Sequence, residues 1–189
     1  MKTKNILAKG IQVVTFLFAG FGNFLLDIAP PGEGDQSFAV GMSSLLALFV
    51  LLFISASTKN HPRERMQKIW LTASVVFFVI AIGSSLLYQA NLNKFTFPYP
   101  PGSLRAEYIA GKVMTPAAEN YLREHPGMSP ELMVAAFGGL AYIDQVWTSE
   151  SIRKVKTILT TNYIILVLSV AIMLFGLTEG VLGSPKPDA

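Results

Sequence analysis

The feature that most constrains this chain is a set of four long apolar runs, each matched in length to a lipid bilayer rather than to a soluble core. A helix needs about 20 predominantly apolar residues to cross a hydrocarbon layer of about 30 Å. Ile11 to Ile28 (extendable back to Ile6), Phe38 to Ser57, Ile69 to Ala90 and Ile158 to Leu182 all approach or meet that length, and none contains lysine or arginine. Their acids, Asp27 and Glu179, lie near run ends, where a carboxylate reaches water. Composition agrees, because 51% of the 189 residues are hydrophobic and 14% are charged, against about 25% charged in an average soluble domain. The expected fold is an all-α integral membrane protein, a four-transmembrane-helix bundle with a small helical extracytoplasmic subdomain between helices 3 and 4. This divides the chain into residues 1–90, 91–157 and 158–189.

Charge fixes the expected orientation, since short loops rich in lysine and arginine stay in the cytoplasm. Lys2, Lys4 and Lys9 precede the first run, and Lys59, Arg63, Arg65 and Lys68 fill the link at Thr58 to Lys68. By contrast, Asp27 to Ser37 carries Asp27, Glu33 and Asp35 and no basic residue. The reading is a multi-pass membrane protein with both termini cytoplasmic and Asn91 to Thr157 outside. Arg153, Lys154 and Lys156 sit on the wrong side for this rule, although long loops are often exempt from it. A fifth crossing through Leu132 to Trp147 is the alternative, but its apolar core is short, carries Gly138-Gly139 and meets Asp144. A buried or interfacial helix suits it better. The first run resembles a signal peptide only in its basic start: it is long for one, and no small-residue cleavage site follows.

The segment 91–157 is punctuated for helices. Thr115-Pro116 with Glu119, then Ser129-Pro130 with Glu131, each set a capping residue before a proline and an acid in the first turn. These predict one helix ending at Pro126-Gly127 and a second over Leu132 to Trp147. A third start at Thr148-Ser149-Glu150 runs without a breaker to Leu182, so the last transmembrane helix is expected to project about two turns beyond the bilayer. Phe95-Thr96-Phe97-Pro98-Tyr99-Pro100-Pro101-Gly102 predicts an extended, polyproline-like strap rather than a helix. Phe95, Phe97 and Tyr99, with Trp147, are its candidate sensing residues; the plainer reading is an aromatic belt at the headgroup level.

No catalytic, cofactor-binding or metal-binding residue is assigned. Cysteine is absent, and the only histidines, His61 and His125, are expected on opposite sides of the membrane. The chain carries no P-loop, dinucleotide glycine pattern, H-E-x-x-H or G-x-S-x-G. A net charge of +3, dispersed between apolar runs, gives no footprint for nucleic acid. Inside the runs, Gly176 and Gly180 form a G-x-x-x-G spacing and Ala81 and Ser85 its small-residue equivalent, so these positions are candidates for close helix packing or homo-oligomerisation.

Two functions fit these features. The first is a non-enzymatic sensor or regulatory subunit whose outer helices detect a signal and whose basic link, with His61, Arg63, Arg65 and Lys68, docks a cytoplasmic partner; contact of that link with anionic lipid headgroups is the plainer role. The second is a homo-oligomeric pore or channel-like effector, lined by Thr160, Thr161 and Asn162. A basic N-terminus, four spans, the basic Thr58 to Lys68 link and the single outer segment Asn91 to Thr157 resemble the KwaA family, membrane subunits of the bacterial Kiwa anti-phage defence system. The resemblance is one of architecture over the whole chain. It implies a homo-oligomer of the bacterial inner membrane that senses phage attack on the envelope and signals to a cytoplasmic, DNA-binding, KwaB-like partner.

Overall fold

In a computed structural model, which describes residues 15, 22–31, 35–57, 63–103 and 106–181, the apolar runs become long helices. The elements are α1 (Gly22–Asp27), α2 (Asp35–Ser57), α3 (Arg63–Phe95), β1 (Thr96–Pro98), β2 (Ala106–Ile109), α4 (Pro116–Glu124), α5 (Pro130–Ala136), a single 3-10 turn (Leu140–Tyr142), α6 (Ile143–Val146) and α7 (Ser149–Val181). Three of these helices, α2, α3 and α7, are long and apolar enough to cross a membrane. Most of the first predicted run, Ile11 to Ile28, lies outside the described residues. At 33 residues each, α3 and α7 extend about 50 Å, well beyond a hydrocarbon layer of about 30 Å. The unbroken helix predicted from Ser149 through the last apolar run is present, and α3 likewise continues past Ala90 to Phe95.

The described residues divide into two compact units, drawn from Met1–Ala29, Ser37–Leu86 and Tyr163–Ala189 in the first and from Pro30–Gln36 and Leu87–Asn162 in the second. The first is held by helix packing. Leu51 of α2, Trp70 of α3, and Ile172 and Phe175 of α7 form one buried cluster, with the Trp70 and Phe175 rings edge to face at 5.2 Å. The buried residues of α2 recur every fourth position as Ala39, Ser43, Ala47 and Leu51, a small-residue ridge that lets a neighbouring helix approach closely. Hydroxyls inside these helices are satisfied locally. Ser43, Ser74 and Ser169 each donate to the carbonyl four residues back, at 2.7–2.8 Å, so they add small volume without an unpaired donor. Tyr163 donates to the Leu25 carbonyl at 2.9 Å, tying α1 to α7.

The G-x-x-x-G spacing serves packing within the chain. A Cβ at Gly176 would stand 3.0 Å from the Trp70 carbonyl oxygen and overlap the Ser74 hydroxyl, and one at Gly180 would meet the Leu71 side chain at 2.8 Å. Both glycines are where α3 and α7 touch. In the other candidate pair, Ala81 is buried and Ser85 half-buried. The opposite face of α3 shows Val75, Val79, Ile82 and Leu86, all strongly exposed, an apolar surface of the kind lipid covers.

The second unit departs from the all-helical expectation. Where an extended strap was predicted, β1 pairs antiparallel with β2, Phe97 opposite Tyr108 and Thr96 opposite Ile109. The connecting turn donates Ser103 N–H to the Pro100 carbonyl at 3.0 Å, with Gly102 at φ 92°. Proline followed by a glycine of positive φ is the requirement of a type II turn, which only glycine meets cheaply. The prolines thus shape a hairpin end rather than a polyproline path.

The helix predicted over Leu132 to Trp147 is also interrupted. α5 has seven residues, about 10 Å, and stops where Gly138 and Gly139 take φ of 96° and 95°. Gly139 N–H returns to the Val134 carbonyl at 2.8 Å, closing the helix with the left-handed geometry that glycine permits. The chain resumes as a 3-10 turn and the four-residue α6. None of these pieces is long enough to cross a bilayer, so the fifth crossing is excluded.

Candidate functional site

The second unit is the part of the chain with a core distinct from helix-to-helix packing. Phe97, Ala110, Ala118, Met133, Val134, Val146 and Trp147 form its buried cluster. Each arrives for a local reason. β1 turns Phe97 inward because alternate strand residues face opposite sides. Thr115 caps α4 by accepting from Ala118 N–H at 3.2 Å, which seats Ala118 against the core. Ser129 starts α5 without a side-chain cap bond, and that helix delivers Met133 and Val134.

A short clamp closes the unit. Thr115 N–H donates to the Val146 carbonyl and Thr148 N–H to the Val113 carbonyl, both at 3.0 Å. The Thr115 hydroxyl donates to the Gln145 carbonyl, and the Ser151 hydroxyl to the Val113 carbonyl at 3.2 Å. Gly111 lies so near this clamp that a Cβ there would fall 2.6 Å from the Trp147 Cβ and overlap the Ser151 hydroxyl. Thr148 opens α7 with its hydroxyl 3.4 Å from Ser151 N–H, so the N-terminal turn of the last helix is fastened into the unit.

Of the predicted sensing residues, Phe97 and Trp147 are brought together in the core, ring centroids 5.5 Å apart and both 2% exposed. Tyr108, not among the expected residues, packs tilted against Phe97 at 6.2 Å and edge to face with Tyr99 at 6.1 Å. Tyr99 is half-buried. The belt of aromatics at the headgroup level is thus replaced by an aromatic core, and the signal for it was the two-residue spacing of Phe95, Phe97 and Tyr99 before a turn.

Phe95 is also buried, at the end of α3. The ammonium groups of Lys94 and Lys112 stand 5.3 and 5.2 Å from its ring centroid, within cation–π range. Lys112 also lines an open cleft of about 460 Å³ with Arg153, Lys154, Thr157 and Ile158. Lys154 bonds Glu150 at 2.7 Å, and this ammonium holds the Glu150 carboxyl below its ordinary pKa, with Arg153 adding to the effect. Arg153 and Lys154, two of the three basic residues standing before the last apolar run, thus line a cleft.

The remaining candidates are not gathered with this one. His61 lies outside the described residues. Arg63 and Arg65 fall in the first turns of α3 rather than in a loop, and Lys68 is exposed on the same helix. The docking link is therefore shorter than Thr58 to Lys68. Thr160 and Asn162 are half-buried and Thr161 exposed along α7. Among the described residues, no three His, Asp or Glu side chains converge as a metal site requires. No family model, curated protein or solved structure matches the chain.

Proposed function

We propose that this chain is a non-enzymatic inner-membrane sensor or regulatory subunit, in which the second unit is the receiving part and the basic start of α3 contacts a cytoplasmic partner. The observation that carries the reading is the way the unit is held. Residues 96–148, with their own aromatic core, are inserted between two helices of 33 residues that each continue unbroken from an apolar span. Signals received by such a unit have a path into the spans along backbone that is helical without a break.

In this reading Ile11 to Ile28 supplies a fourth crossing, the second unit is extracytoplasmic, and both termini and residues 58–68 are cytoplasmic. The charge asymmetry of the short connections supports that orientation. Membership of the KwaA family is part of the proposal, and with it a homo-oligomer that reports phage attack on the envelope to a DNA-binding partner while itself binding no nucleic acid. The exposed apolar face of α3 offers surface for lipid or for further copies of the chain.

Reversing the charge of Arg63 and Arg65 together tests the docking role. Co-expressed with the products of the genes flanking its own, the wild-type chain is expected to co-purify one of them and the doubly Glu-substituted chain to lose most of it. Unchanged recovery sinks the docking assignment. The pore alternative gives a different result: overexpression of the chain alone would collapse the membrane potential and stop growth, whereas a sensor without its partner leaves both intact.

A further inference from the structure

We infer that the cleft lined by Lys112, Arg153, Lys154, Thr157 and Ile158 is a binding site for the phosphate-bearing headgroup of an anionic phospholipid. Its chemistry is divided between two kinds of surface. Lys112 and Arg153 are exposed cations on one rim, and Lys94 shares the Phe95 ring with Lys112, so three positive groups belong to one neighbourhood. Lys154 is partly neutralised by Glu150, which leaves Lys112 and Arg153 as the principal anion-binding groups. Thr157 and Ile158, one turn further along α7 from Arg153 and Lys154, lead into a stretch of that helix with no charged residue until Glu179.

The position along the chain matches this division. Lys94 is the first charge after an uncharged stretch of α3 that begins at Ile69, and Lys156, Lys154 and Arg153 are the first charges before the uncharged stretch of α7. Both apolar spans therefore end in cations on the same side of the chain's path, the level at which phosphates lie in a bilayer. A free phosphate would use the cations alone. A phospholipid uses the cations and the apolar stretch beyond them, its phosphate on Lys112 and Arg153 and its acyl chains along Ile158 and the residues that follow. The proposal rests on the reading of α3 and α7 as membrane spans, and it gives the sensing unit a specific attachment to the lipid it monitors.

The test uses the full-length chain in neutral detergent micelles, with binding of phosphatidylglycerol and phosphatidylcholine followed by native mass spectrometry. The wild type is expected to prefer phosphatidylglycerol, and Lys112→Gln with Arg153→Gln to lower that affinity by roughly 30-fold, at about fivefold per interfacial cation. The conservative pair Lys112→Arg with Arg153→Lys is expected to retain the preference, and Arg123→Gln, an exposed change on α4, to leave it unaltered. Equal affinity for the two lipids, or an equal loss in Arg123→Gln, overturns the site. Displacement of the lipid by inorganic phosphate at matched concentration assigns the cations to free phosphate and overturns the lipid occupant. A photoreactive phosphatidylglycerol applied to the wild type supplies a measurement independent of any variant: crosslinks at 157–162 support the site, and crosslinks only on the exposed face of α3 overturn it. Binding in micelles does not depend on orientation. A positive result with residues 87–162 found in the cytoplasm would keep the lipid site and remove the outward reading, while the reverse combination would remove the site alone.

Discussion

Replacing Trp147 with alanine is expected to unfold the segment between α3 and α7 while leaving the long helices in place. The indole is 2% exposed, packs on Phe97 at 5.5 Å and belongs to the same buried cluster as Met133, Val134 and Val146. Emptying such a site costs about 3–5 kcal/mol, a large share of the 5–15 kcal/mol that typically holds a domain folded. The main-chain bridge between Met114 and Trp147 does not depend on the indole, so the effect isolates the side chain. Limited trypsin digestion of the purified protein checks it: cleavage after Lys112 and Arg123, slow in the wild type, becomes rapid in Trp147→Ala and intermediate in Trp147→Phe. Equal digestion of all three would mean that the aromatic cluster does not hold the unit.

A comparable loss is expected inside the helix bundle from Gly176→Val. Its Cβ would be driven against the Trp70 carbonyl at 3.0 Å, and a backbone oxygen in a continuous helix cannot move aside as a side chain does. Overpacking of this kind costs about 1–3 kcal/mol, occasionally more. Gly180→Ala meets the Leu71 side chain at 2.8 Å and backbone only at 3.4 Å, an ordinary contact, and Gly83→Val has nothing within 4 Å. Thermal unfolding in detergent should therefore rank Gly176→Val well below Gly180→Ala, with Gly83→Val within about 0.5 kcal/mol of wild type, as for a surface change away from special features. If Gly176→Val instead keeps the wild-type Tm, the contact of α3 with α7 at this glycine is not what closes the bundle.

Which features the amino-acid sequence carried openly, and which it hid, follows from how local their causes are. The three long apolar helices α2, α3 and α7 were legible because an uncharged stretch of some 20 residues has few alternatives. The starts at Thr115 and Thr148 were legible because capping needs only a side-chain oxygen and the next three residues, and that at Ser129, which makes no capping bond, through the proline that follows it. Gly138-Gly139 was visible but underweighted: an isolated glycine is tolerated in a helix, whereas two in succession at positive φ end it. The hairpin was hidden because β1 is three residues long and its partner lies beyond a turn, so neither strand has a pattern of its own.

Burial of the aromatics was the larger miss. Phe97 and Trp147 stand 50 positions apart, and a sequence offers no sign that they share a core until the clamp of 113–115 on 145–148 is known. Read separately, Phe97 belonged to a strap that resembled a headgroup anchor. The cleft followed the same logic, because Lys112 joins Arg153 only through that clamp. The ridge of Ala39, Ser43 and Ala47 did leave a signal, small residues at every fourth position, and it went unread beside the better-known glycine spacing.

The central claim is that residues 87–162 face out of the cell while the start of α3 faces in. The chain has no cysteine, so a single one introduced at Asn120, exposed on α4, or at Lys68, exposed on α3, reports alone. A membrane-impermeant maleimide applied to intact spheroplasts is predicted to label Asn120→Cys at once and Lys68→Cys only after lysis. Protection of Asn120→Cys with prompt labelling of Lys68→Cys would contradict the account.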